Sequence, residues 1–170
     1  MKALENKVVL VVGAAHGIGK AAAECCLERG AKVIWADLDE KACQEEAERT
    51  NSLAVGVDVT DENSVIRMFS IIKEKYHRLD VLIHSAGILK GAMVPIEEFD
   101  MDTWRSVLEV NLTGSFLCSK HAVPLMKENG HGVIILVSSG AATGGSSSYA
   151  YGASKGGVSS LAVTMTNKLK

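Results

Sequence analysis

The sequence predicts an α/β fold, a doubly wound parallel sheet with helices on both faces. Three observations predict it. Apolar runs of strand length alternate with helical patterns along the whole chain, which favours parallel strands joined by right-handed crossovers. The strand runs are continuous and rich in β-branched residues, as in Lys7-Val8-Val9-Leu10-Val11-Val12, the mark of strands buried on both faces. Most of the residues that invite a chemical reading follow the carboxyl end of a strand, where ligands bind in such sheets.

The first strand runs into Gly13-Ala14-Ala15-His16-Gly17-Ile18-Gly19 and a helical pattern through Leu27, with Gly30 as its C-terminal stop. Lys32 to Ala36 is the second strand and ends at Asp37; Glu40 to Thr50 is a polar helix. Leu53 to Val57 is the third strand and ends at Asp58, and Thr60 is the N-cap candidate for a helix running to about His77. Val81-Leu82-Ile83 is the fourth strand, followed by His84-Ser85-Ala86-Gly87. A longer link with Pro95 leads to a long helix, about Met101 to Lys127. Val133 to Val137 is the fifth strand, and the last helix starts near Tyr149 or Ala150. No repeat, low-complexity tract or linker divides the chain, so residues 1–170 read as one domain.

Composition excludes several classes. A net charge of −2 with both signs scattered gives no support for nucleic-acid binding or a charged membrane surface. No apolar run approaches the roughly 18 residues of a membrane span, and Met1 to Lys7 carries no signal-peptide segment. Cys25, Cys26, Cys43 and Cys118 show no metal or redox spacing. They read as reduced packing residues of a cytoplasmic protein, with no metal site.

The glycine loop links a strand to a helix. Gly13 would allow the tight turn, Gly17 would let main-chain N–H groups approach a pyrophosphate, and Gly19 would let the helix pack on the strand. The spacing is not GxGxxG, and a glycine loop alone is also an ordinary turn. Asp37 strengthens the case: it ends the second strand 20 residues after Gly17, where a carboxylate accepts from both adenosine ribose hydroxyls and repels a 2′-phosphate. Leu38, not an arginine, stands beside it. NAD is therefore favoured over NADP. Asp58 is either an adenine contact or a cap for the next helix. Tyr151 and Lys155 are four apart on one helix face. An ammonium favours a neighbouring phenolate, and such a pair can exchange a proton with an alcohol oxygen. Taken alone, the pair reads more readily as a packed ring and a solvated charge.

In combination these motifs resemble those of the short-chain dehydrogenase/reductases, in their single-domain, Rossmann-like form, and the resemblance covers the whole chain. Val12 to Gly19 looks like the TGxxxGIG loop, and Asp58-Val59 matches the adenine-contacting pair. His84-Ser85-Ala86-Gly87 stands at NNAG, Asn111 matches the helix asparagine, and Ser138-Ser139 and Tyr151 to Lys155 match the serine and YxxxK motifs. The resemblance implies hydride transfer between NAD(H) and an alcohol or ketone. It makes Tyr151 the general acid/base and Ser139 the residue orienting the substrate oxygen. Lys155 would lower the tyrosine pKa and hold the nicotinamide ribose, while Asn111 would bind a water linking Lys155 to solvent. Gly13, His16, Gly17, Ile18, Gly19, Asp37, Leu38, Asp58, Val59, Ser85, Ala86 and Gly87 would contact the cofactor together with Tyr151 and Lys155. The family usually forms homodimers or homotetramers through the long helix and the last helix.

The chain departs from the pattern in places. Val12 replaces a threonine, and His84-Ser85 replace two asparagines. His84 is expected to be structural, since the matching position is. The loop before Tyr151 is one residue shorter than is common, so spacing points to Ser138 and local motif to Ser139; Ser139 is preferred because a deletion falls more easily in Gly144-Gly145-Ser146. Tyr149 lacks a lysine four residues on and reads as a pocket wall. Family members continue with two further strands, so the sequence reads as a fragment whose fifth strand is an exposed edge. The alternatives are a catalytically incompetent NAD-binding module and another doubly wound enzyme such as a methyltransferase, in which the tyrosine–lysine pair has no role. Substrate identity is left open between sugar alcohols, steroids, keto-acyl thioesters and small secondary alcohols.

Overall fold

The computed structural model describes residues 2–169. Five strands, β1 Val8–Val12, β2 Lys32–Asp37, β3 Leu53–Gly56, β4 Val81–His84 and β5 Val133–Leu136, form one parallel sheet in the order β3-β2-β1-β4-β5. The helices are α1 Gly17–Glu28, α2 Glu40–Thr50, α3 Glu62–Tyr76, α4 Met101–Leu108, α5 Gly114–Glu128 and α6 Tyr149–Lys168. From β1 the chain steps outward to β3, then returns to place β4 on the other side of β1. The reversal opens a crevice beyond the carboxyl ends of β1 and β4, the place where such sheets bind ligands.

Strand periodicity sorts the core into two layers. Val8, Leu10 and Val12 share a face with Ile34, Ala36 and Leu82, and pack on Met68, Phe69 and Ile72 of α3 and Leu117, Ala122 and Leu125 of α5. Val9, Val11, Val33, Trp35 and Ile83 face the other way, onto Ala23 and Cys26 of α1 and Cys43 and Ala47 of α2. Each fully buried Leu, Ile or Val contributes about 1.5–3 kcal/mol relative to exposure, and all five residues of β1 are buried. That is why β1 reads as an unbroken apolar run. Among the described residues β5 pairs with β4 alone, and Val133 and Ile135 are half-exposed along it.

Three local expectations need correction. Asp61, not Thr60, caps α3, its side chain accepting from Asn63 N; Thr60 gives both its N–H and its hydroxyl to Asp58 Oδ1. Asp58 therefore closes a local turn and is not the helix cap. The helix expected from Met101 to Lys127 is interrupted by a wide π turn over Glu109–Thr113, so α4 and α5 are separate segments on one path. α2 and α3 close on Asn51 and His77, both in the left-handed region; neither position carries the glycine that usually marks such an end. No helix among the described residues is long and apolar enough to cross a membrane.

Candidate active site

The crevice is a cleft of ≈ 660 Å³. Its walls come from the ends of all five strands and the start of α6. The glycine loop contributes Gly13, His16, Gly17 and Ile18; β2 and β3 contribute Asp37, Leu38, Asp58 and Val59; the β4 end contributes Ser85, Ala86 and Gly87. Ser138, Ser139, Tyr151 and Lys155 close the other side. Two sequence-selected residues, Gly19 and Asn111, lie behind this wall, both buried. Val12 and the link residues Ile88 and Leu89 also line the cleft, and the apolar panels Val57, Val110 and Val137 were not singled out from sequence as site residues. Their only signal was a place at or just beyond strand ends or in the long helix.

At the α1 end, the N-cap residue is His16 and it makes no side-chain cap bond. α2, α3, α4 and α6 all begin with a capping side chain. The first N–H groups of α1 thus stay available at the cleft, where the helix dipole favours an anion. Gly17 has φ +56, and a Cβ there would meet nothing within 4 Å, so its surroundings are open. Gly13 and Gly19 are closed instead. A Cβ at Gly13 (φ +83) would strike the main chain of Ala86, and one at Gly19 would strike the carbonyl of Gly13.

Asp37 ties the glycine loop to β2. Its Oδ2 accepts from Ala15 N at 3.0 Å and its Oδ1 from Asp39 N at 3.2 Å. The α2 cap is Asp39, whose side chain accepts from Ala42 N. Each Asp37 oxygen keeps acceptor capacity toward the cleft, the arrangement a ribose diol requires.

On the α6 side, Lys155 is 4% exposed, and its Nζ donates to the Val137 carbonyl at 2.8 Å. Nζ lies 5.7 Å from the centre of the Tyr151 ring. Burial draws the Lys155 pKa below its ordinary value. The two serines separate cleanly. Ser138 Oγ turns into α6, bonded to the Lys155 carbonyl at 2.9 Å and to Ser159 Oγ at 2.7 Å. Ser139 Oγ accepts from Ala141 N at 3.2 Å, which leaves its hydrogen free to donate. Tyr149 does not line the cleft: it sits edge-on against Phe99, centroids 5.5 Å apart.

Asn111 is held by three hydrogen bonds. Its Oδ1 accepts from Ile88 N at 2.7 Å, and its Nδ2 donates to the Ile88 carbonyl and to Ser154 Oγ, each at 3.0 Å. Both amide hydrogens are taken. The side chain is a strut between α6 and the link after β4, and a water could join it only as a donor to Oδ1. His84 is 1% exposed and burial pushes its pKa down to about 4, with the Lys155 charge adding to the effect. It is a neutral packing histidine within the sheet. Cys25 is exposed and the other three thiols are buried; burial pushes Cys43 and Cys118 up to about 12. Among the described residues, no three potential metal ligands converge.

A doubly wound sheet thus brings an uncapped first helix, a strand-end carboxylate and a tyrosine–lysine pair together around one cleft. The family model described as short chain dehydrogenase matches residues 7–170, and the chain belongs to that family. It is 39% identical to tropinone reductase-like 2 of Erythroxylum coca over 99% of its own length and 63% of that protein. It is 40% identical to cis-4-hydroxycyclohexanecarboxylate dehydrogenase of Sinomonas cyclohexanicum over 94% of its length and 66% of that protein. A crystal structure described as ribose-5-phosphate isomerase from Brucella melitensis 16M superimposes with a TM-score of 0.93 at 32% identity, covering 97% of this chain and 64% of the other. The chain thus spans about two thirds or slightly less of the proteins it matches.

Proposed function

We propose that the cleft binds NAD(H) and that its residues handle the proton in the interconversion of an alcohol and a ketone. The observation that carries this reading is the pairing of Tyr151 with a nearly sealed Lys155 across the cleft from an open helix N-terminus and Asp37. A bound nicotinamide dinucleotide would supply or accept the hydride. The N-terminal N–H groups of α1 and Gly17 would hold its pyrophosphate, Asp37 the adenosine ribose, and Asp58 and Val59 the adenine edge. Ser139 donates to the substrate oxygen and fixes its direction. Tyr151 takes the alcohol proton as the alcohol is oxidised, or returns it as the ketone is reduced, and Lys155 stabilises the phenolate. Asn111 keeps the helix carrying both residues in register with the link at Ile88.

The named relatives at 39% and 40% identity are a reductase-like protein and a dehydrogenase, which supports a small secondary alcohol or ketone as substrate. Phe116 on α5 and Val163 on α6 are exposed apolar residues, which supports assembly as a homodimer or homotetramer through those helices.

The test is a fluorescence titration of the chain with NADH and, in parallel, NADPH. Saturable binding with NADH the tighter ligand is expected, and Asp37→Ala should narrow the difference. Tyr151→Phe should hold NADH affinity within a few-fold, yet slow NAD-dependent oxidation of cis-4-hydroxycyclohexanecarboxylate, the first alcohol to try, by about 10²–10⁴-fold. Binding of neither nucleotide would overturn the reading. Full turnover in Tyr151→Phe would remove Tyr151 from its role.

A further inference from the structure

His84, the last residue of β4, is a buried titratable residue with no part in the proposed chemistry. Nδ1 is 3.2 Å from Ser115 Oγ, and Nε2 is buried with no partner among the described residues. Ser115 Oγ in turn lies 2.7 Å from the Asn111 carbonyl, one helical turn back. A hydroxyl has one hydrogen. The Asn111 carbonyl has none, so the Ser115 hydrogen must point at it. The only group left to fill the His84–Ser115 contact is an N–H on the ring. His84 therefore carries its proton on Nδ1, and Nε2 is a bare lone pair with no partner among the described residues.

These bonds run into the proposed site. Asn111 sits in the π turn Glu109–Thr113. Such widened turns occur where something other than the helix ladder holds the backbone. Here Ser115 holds the Asn111 carbonyl, while the Asn111 amide holds Ile88 and Ser154, and Ser154 Oγ donates to the Tyr151 carbonyl at 2.8 Å. Asn111 Oδ1 and Lys155 Nζ also meet over one point, since a Cβ at Gly87 would lie 3.2 Å from the first and 3.3 Å from the second. Every side chain in the chain of bonds, His84, Ser115, Asn111 and Ser154, is buried. In the dry interior each bond is stronger than at the surface, and an unmade one is costly.

We propose that His84 is a positioning residue whose Nδ1–H donates to Ser115 Oγ, directs the Ser115 hydroxyl onto the Asn111 carbonyl, and so fixes the asparagine that sets Ile88, Tyr151 and Lys155 around the cleft. Asparagine at position 84 would place its amide nitrogen where the imidazole places Nδ1. The same donor could then be supplied without the ring.

The test is nuclear magnetic resonance on the 170-residue chain. Long-range nitrogen–proton spectra of the His84 ring should show the Nδ1–H tautomer. An Nε2–H tautomer would overturn the proposal, because Ser115 would then donate to the ring and not to Asn111. In Ser115→Ala, and in His84→Leu if it folds, the Ile88 amide should exchange about tenfold faster while the β1 amides, such as that of Leu10, hold their rates. His84→Asn should restore the slow Ile88 exchange. A uniform loss of protection across the sheet, or none at Ile88, would reduce His84 to a core side chain and overturn the proposal.

A final readout rests on the NAD(H) reading. Ser115→Ala should weaken NADH binding about threefold, the size of one ordinary hydrogen bond, and unchanged affinity would break the link to the cleft. If the unmodified chain binds no NADH, the functional reading fails, and the tautomer and Ile88 exchange still decide the role of His84.

Discussion

Lys155 and His84 are both nearly sealed from water, and they respond to burial in different ways. Lys155 keeps its ammonium on the Val137 carbonyl; His84 has no acceptor for a second ring proton among the described residues, and burial holds its pKa at about 4 against an ordinary 6.5. Between these two values the unfolded chain binds a proton that the folded chain refuses. Stability is therefore complete above about pH 6.5 and is lost as pH falls toward 4, by about 3 kcal/mol for this one group. Urea unfolding at pH 7 and pH 4.5 should show this loss in the natural sequence, and His84→Asn should lack about 2–3 kcal/mol of it. Equal pH dependence in the two proteins would place the acid sensitivity on other groups. The pairing of Tyr151 with Lys155 was legible in the sequence, because helical spacing alone puts four-apart residues on one face. Which of the two serines faces α6 was not legible there, because Ser159, the partner that turns Ser138 away, is 21 residues along the chain. The partners of His84 and Asn111 lie 31 and 43 residues away in sequence, so no local pattern announces them.

At the scale of elements, the strand-to-helix turn after β1 works because its glycines have different duties. Gly19 has no room: its missing Cβ is replaced by the Gly13 carbonyl, a main-chain atom that cannot swing aside. Gly17 has room but a left-handed backbone, φ +56, which costs an L-residue about 1–2 kcal/mol. Gly19→Ala should therefore push α1 off β1, destabilise the fold by about 1–3 kcal/mol and abolish NADH binding. Gly17→Ala should fold with a smaller loss. Thermal unfolding beside the NADH titration checks the pair, and a Gly19→Ala protein that binds NADH normally would contradict the close packing. Strand and helix order was legible because buried β-branched runs and polar helices differ in period. The π turn was not, because Val110-Asn111-Leu112-Thr113 contains neither glycine nor proline. Its widening accompanies bonds from Asn111 to Ile88 and Ser154, on other elements. The α3 cap was misplaced by one residue because Thr60, a good cap by type, is already engaged by Asp58.

Across the whole molecule, the two ends of the sheet are built differently. The carboxyl ends of the strands stay open as the cleft, while the amino ends are tied together at Asp80. This carboxylate is 2% exposed. Its Oδ2 accepts from Val8 N at 2.9 Å and Arg78 Nε at 3.0 Å, and its Oδ1 meets Arg78, Lys7 and His131. Its main chain bonds to Val8 and Val133, so β1, β4 and β5 all converge on one residue. Burial alone would raise its pKa; the Arg78 guanidinium, the Val8 N–H and the Lys7 ammonium outweigh burial and hold it at about 2. The depressed value makes this stabilisation complete above the ordinary 3.8 and lost as pH falls through 2. Asp80→Asn removes the charge and turns an amide donor toward Arg78 or Val8. Breaking a buried ion pair costs about 3–5 kcal/mol. Arg78 and Lys7 are each more than a third exposed, so solvent screening reduces the expected loss to about 2–3 kcal/mol. Urea unfolding at pH 7 measures it. NADH affinity should stay within about twofold, because Asp80 lies a full strand length from the cleft. A variant that unfolds at the natural midpoint would show that the sheet does not depend on this tie, and one that unfolds normally but loses NADH would show that the two ends of the sheet are coupled.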